Sequence, residues 1–116
     1  MREEIIVKIL IIDDDKKFTN TLKDDIKNFF QKTNDKAIIT VINDEFDQVD
    51  LFDNYHIVFL DIDLITNNGL IIAKQLRELD NNVMIVFISS RSNLVFKTFV
   101  VKPFYFLKAS EKNKKI

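Results

Sequence analysis

Three groups of oxygen-bearing side chains close short apolar runs in this sequence. Asp13, Asp14 and Asp15 follow residues 5–12, Asp61 and then Asp63 follow residues 57–60, and Ser89 and Ser90 follow residues 83–88. Carboxylates gathered in one place repel one another, and taking them out of water without a partner is costly. A magnesium ion resolves that conflict, because it takes oxygen ligands, accepts one or two carboxylates, and leaves positions for water and phosphate. An aspartate can also attack phosphorus and form an acyl phosphate. An acidic residue after a strand is equally often a helix cap or a solvated loop residue. That bland reading serves for any one of these aspartates, and serves poorly for Asp13, Asp14 and Asp61 together if each closes its own strand. The chain has no cysteine, which excludes disulfides, thiolate metal sites and thiol catalysis. His56 is the one histidine, and with no second ligand of its kind it reads as a surface residue.

The elements that would position these groups are legible as apolar runs and helical stripes. Residues 5–12, 37–42, 57–60 and 83–88 are short, rich in Ile and Val, and continuous rather than alternating. Strands buried on both faces have this composition, which points to a parallel sheet covered by helices. Within residues 16–32, Phe18, Leu22, Ile26 and Phe29-Phe30 recur at helical spacing, with Asp14 or Asp15 near the start, where a carboxylate favours the helix dipole. Ile72, Leu76 and Leu79 form a second stripe, stopped at Asn81-Asn82. Residues 44–54 and 92–99 are expected as two short helices and residues 104–108 as a last strand. The resulting order alternates strand and helix throughout, the doubly wound α/β pattern. In such a sheet ligands bind outside the carboxyl ends of the strands, where the strand order reverses. If the first and third strands are neighbours, Asp13, Asp14 and Asp61 meet there.

Composition narrows the function classes. A chain of 116 residues is one domain. Its 17 basic and 18 acidic residues leave a formal charge of −1, which argues against direct tracking of nucleic acid or binding to an anionic membrane. The first apolar stretch contains Lys8 and is too short to span a bilayer, so a cytoplasmic location is expected. With one glycine and one proline in the chain, turns must be made by Asn, Asp and Ser, and Gly69 becomes informative. After Lys108 too few residues remain for a full closing helix. The chain is therefore expected to be a single domain over residues 1–116, ending before or within that helix.

Taken together, these segments resemble the receiver domains of two-component response regulators. The run KILIIDDD from Lys8 resembles the family's first strand and acidic pair, and IVFLDIDL from Ile57 resembles the strand bearing its phosphoacceptor. Gly69 stands where the family has a turn glycine, and VMIVFISS from Val83 resembles the strand ending in a switch Ser or Thr. The resemblance implies a flavodoxin-like, five-stranded parallel sheet in the order 2-1-3-4-5. It implies Asp61 as phosphoacceptor, Asp14 as a direct magnesium ligand, Asp13 as a ligand partly through water, and Asp63 as a ligand through its backbone carbonyl. Ser89 would bond a phosphoryl oxygen, and a lysine would pair with the phosphate.

Two lysines compete for that role. Lys102, before Pro103, matches the usual Lys-Pro-Phe ending but lies thirteen residues after Ser89, too close for a normal fourth helix. FVVKPFYFLK, residues 99–108, resembles regulators with a LytTR-type DNA-binding output and favours Lys108, one position before the family's lysine. The loop after Asp63 also lacks the family's common proline, and His56 stands where Asp is usual. The function implied is a magnesium-dependent switch phosphorylated by a sensor histidine kinase, with slow self-dephosphorylation at most. It would control an output such as transcription through its fourth helix and last strand. A homodimer is compatible with that role, and DNA would be reached only through a separate output domain. Two alternatives are weighed against it. One is a receiver-like interaction module that is not phosphorylated, supported by the displaced lysine. The other is a haloacid-dehalogenase-type phosphatase, suggested by Asp61-Ile62-Asp63 but placed on the wrong strand of too short a chain.

Overall fold

A computed structural model of the chain describes residues 3–43, 53–62, 69–89 and 105–108, with the backbone alone at 89 and 105–108. The elements in chain order are β1 (Ile6–Ile12), α1 (Lys16–Gln31), β2 (Lys36–Ile42), β3 (Ile57–Asp61), α2 (Gly69–Leu79), β4 (Met84–Ser89) and β5 (Tyr105–Lys108). The strands form one parallel sheet in the order β2-β1-β3-β4-β5. From β1 the chain crosses to β2 on one side, and from β3 it proceeds to β4 on the other. Right-handed crossovers in opposite directions place α1 and α2 on opposite faces of the sheet.

Two apolar layers result. Leu10, Ile12, Val58, Leu60, Ile85 and Phe87 pack with Ile72, Ala73 and Leu76 of α2. Ile9, Ile11 and Ile88 pack with Phe18, Leu22 and Ile26 of α1. Alternate residues of β1 thus serve opposite layers, which is why that strand is a continuous apolar run. Burying each such Ile, Leu or Phe stabilises the fold by about 1.5–3 kcal/mol, so both helices are held by their apolar faces.

The scarcity of glycine is met by side chains and by asparagine. At the end of α1, the Lys32 amide bonds the carbonyls of Phe29 and Phe30, and the Thr33 hydroxyl donates to the Phe30 carbonyl at 2.8 Å. After α2, the Asn82 amide bonds the Asp80 carboxylate, and the Arg77 guanidinium reaches the carbonyls of Asn81 at 3.0 Å and Val83 at 2.7 Å. Asn54 adopts φ 54°, the left-handed region that Asn tolerates better than most residues. Asp53 and Asn54 are therefore not helical. The rest of the helix expected over 44–54, the helix expected over 92–99 and the segment after Lys108 lie outside the described residues.

Candidate functional site

The site is built where β1 and β3, neighbours within the sheet, end side by side. Their register pairs Ile12 with Leu60, so one further step sets Asp13 beside Asp61. Both continue the alternation that faces α1, through Ile9 and Ile11 on one strand and Ile57 and Phe59 on the other. Asp13 is 0% exposed and Asp61 5%. Asp14 is half-buried in the turn that follows. One carboxylate oxygen from each of Asp13, Asp14 and Asp61 lies within 4.8 Å of the others.

Backbone contacts hold this arrangement. The Asp13 amide donates to the Ile42 carbonyl at 3.1 Å. Asp13 Oδ1 accepts from the Asp15 amide at 2.9 Å, while Asp13 Oδ2 is buried and accepts no hydrogen bond among the described residues. Asp15 turns away from the cluster. It is exposed and caps α1, its carboxylate accepting from the Phe18 amide at 3.0 Å. Three adjacent aspartates thus divide their work, two facing the crevice and one capping the start of a helix.

Three carboxylate oxygens converging at the mouth of a sheet, two of them from buried residues, suit a hard divalent cation. Desolvated like charges are costly alone, and a cation turns that repulsion into coordination.

Gly69 explains how the third strand's end is kept in place. It is the first residue of α2, it has no positive φ, and its amide donates to the Ile62 carbonyl at 3.2 Å. A Cβ at this position would lie 2.2 Å from the Asp61 carbonyl oxygen and 2.8 Å from the Ile62 Cα. The turn freedom suggested by the sequence is not what this glycine supplies. It allows the start of α2 to rest directly on the backbone of Asp61.

The remaining expected residues fall as follows. Ser89 and Lys108 end β4 and β5 and are register partners, one row beyond the row that joins Asp61 to Ile88. Asp63, Ser90 and Lys102 lie outside the described residues. His56 is exposed at the opposite, amino end of the sheet, where its Nδ1 accepts from the Lys8 amide at 2.9 Å. Two residues around the crevice were not singled out from the sequence. The Asn43 side-chain amide donates to the Asp13 carbonyl at 2.8 Å and to the Thr19 hydroxyl at 3.0 Å. A lone Asn after an apolar strand carries no pattern that announces this, and Thr19 is hidden within a helix stripe.

Comparison with known proteins agrees with this geometry. Residues 9–108 match the family model of the response regulator receiver domain. Over 99 residues the chain is 30% identical to the sensory transduction protein LytT of Bacillus subtilis, covering 83% of this chain and 39% of LytT. The chain therefore spans about two fifths of that relative. The signal receiver domain of a DNA-binding response regulator from Colwellia psychrerythraea superposes with a TM-score of 0.76 at 22% identity, covering 90% of this chain and 86% of the other. Response regulator TrrA from Thermotoga maritima, crystallised with magnesium and a beryllium fluoride, gives 0.71 at 19% identity, covering 88% of this chain and 85% of the other. No helix among the described residues is long and apolar enough to cross a membrane.

Proposed function

Because the chain belongs to the response regulator receiver family, we propose that it is a phosphorylation switch in which Asp61 accepts a phosphoryl group beside a bound magnesium ion. The observation that carries this reading is the convergence of Asp13, Asp14 and Asp61 within 4.8 Å at the carboxyl ends of β1 and β3. TrrA, a protein of the same fold, holds magnesium with a beryllium fluoride, which supports magnesium as the ion. Asp14 and Asp61 would be direct ligands, Asp13 a ligand partly through water, and Asp63 a ligand through its carbonyl. Bound there, the ion would neutralise charge on the incoming phosphoryl group.

The protein's own part in the reaction is nucleophilic. A carboxylate oxygen of Asp61 forms a bond to phosphorus as the phosphorus–nitrogen bond of a kinase phosphohistidine breaks. The imidazole keeps that electron pair and takes up a proton. The acyl phosphate on Asp61 carries about −1.5 to −2 charge. The Ser89 hydroxyl would donate to one phosphoryl oxygen and the Lys108 ammonium would pair with another, a task suited to a compact point charge. The Ser89–Lys108 register, which sets the two residues side by side at the strand ends, supports Lys108 in that role. Movement of Ser89 and Lys108 toward the phosphate would repack the segment between them and pass the change to an output, a bistable transition of the kind used by other switches. LytT and the Colwellia protein are respectively a sensory transduction protein and a DNA-binding response regulator, which supports transcription as that output.

Fluorine spectroscopy and hydrogen exchange with magnesium and beryllium fluoride test the arrangement. The wild type should show one bound fluoride species, absent in Asp61→Asn, and altered exchange over residues 92–107. Lys108→Ala should keep magnesium binding and lose the exchange response, whereas Lys102→Ala should keep both. Loss of the response in Lys102→Ala alone would contradict the assignment of Lys108.

A further inference from the structure

We infer that Asn43, acting with Thr19, is a positioning residue for the cation site, fixing the peptide between Asp13 and Asp14. The inference rests on the reading that this cluster holds a divalent ion. Asn43 follows directly on β2, and its side-chain nitrogen spends its donors on two acceptors, the Asp13 carbonyl and the Thr19 hydroxyl. The Thr19 hydroxyl in turn donates to the Lys16 carbonyl at 3.1 Å. The Ile42 carbonyl, one residue earlier, accepts from the Asp13 amide. Successive residues at the end of β2 therefore grip Asp13 at both its N–H and its C=O. A residue held at both ends has little freedom in the dihedrals that aim its own carboxylate, and the fixed carbonyl sets the plane from which Asp14 departs.

The residue types are restrictive. A carboxamide offers two hydrogens, whereas Asp of the same shape offers only acceptors and would add a charge beside the cluster. Thr19 is fully buried on the apolar face of α1. There a Val would pack as well but could not accept the hydrogen bond from Asn43. A threonine bonding a carbonyl one turn back is common in helices. The link onward to the end of β2 ties β1, β2 and the first turn of α1 together behind the carboxylates. Partners behind metal ligands typically change affinity by about 10–100-fold when removed.

Direct manganese binding to the whole 116-residue chain, followed by electron paramagnetic resonance, separates positioning from simple stabilisation. Asn43→Leu and Thr19→Val should each weaken manganese by about tenfold, and the double variant should be little worse than either single one, because both break one network. Thr19→Ser, which keeps the hydroxyl, should bind as the wild type does. Should Asn43→Leu fail to fold, Thr19→Val still decides, since it preserves volume in the helix. Lower melting temperatures with unchanged manganese affinity would overturn the inference and leave a purely structural tie. A wild type that binds no manganese, or an Asp14→Asn variant that binds it normally, would instead overturn the cation site and this inference with it.

Discussion

The two ends of the adjacent strands β1 and β3 treat charge in opposite ways. At the amino end, the Lys8 ammonium lies 3.0 Å from the Asp53 carboxylate, donates to the Asp53 carbonyl, and sits 5.6 Å from the centre of the Tyr55 ring. His56 beside it accepts from the Lys8 amide and gives its own amide to the Lys8 carbonyl. Opposite charges and complementary donors meet there within the chain. At the carboxyl end, three carboxylates of the same sign are drawn together, two of them from buried residues. The amino end is a closed structural joint. The carboxyl end is arranged for a partner of positive charge. Where a fold concentrates like charge at the switch point of its sheet, the arrangement favours ligand over stability.

The sharpest way to break this contrast is through Gly69. Gly69→Ala places a methyl group against the Asp61 carbonyl, and should cost about 3 kcal/mol in urea unfolding, at the upper end of ordinary overpacking. A cost below 1 kcal/mol would show that α2 does not rest on the end of β3 as described. Next comes the metal. Magnesium at a hundred times its dissociation constant should raise stability by about 2.7 kcal/mol. Asp14→Asn should abolish that rise while stabilising the metal-free protein by about 1 kcal/mol through relief of repulsion. A metal-free variant less stable than the wild type would contradict the like-charge account.

Asp15→Ala separates the third aspartate from the other two. It removes the cap of α1 and should lower stability by about 1 kcal/mol, with the magnesium response intact in the same titration. The smallest effect is expected at the amino end. Lys8→Met removes an ion pair whose aspartate is well exposed, so unfolding should shift by no more than about 1 kcal/mol, again with magnesium binding unchanged. A metal response altered by Lys8→Met would show that the two ends are coupled and spoil the contrast.

Much of this was legible because strands buried on both faces leave a plain trace. Residues such as Ile9 to Ile12 serve two layers at once, so the sequence runs apolar without alternation and stops at the first aspartate. The strand ends then mark Asp13, Asp14 and Asp61 by position alone. Residues whose roles depend on distant backbone were not legible. Gly69 looked like a turn residue because its close approach to Asp61 arises only when α2 packs down. Asn43 and Thr19, twenty-four positions apart, meet through the β2 to β1 pairing, and neither residue type signals it. Arg77 reads as an ordinary helix charge, yet it binds the carbonyls of the turn into β4 in a chain with almost no glycine to end its helices.

Phosphoryl uptake by Asp61 at the carboxyl-end cluster is measured most directly by intact mass after incubation with acetyl phosphate. With magnesium present, the wild type should gain the mass of one phosphoryl group, and the adduct should be lost on removing the metal beforehand or in Asp61→Asn. A phosphoryl adduct that persists in Asp61→Asn, or a wild type that takes none up while binding magnesium, would contradict the account.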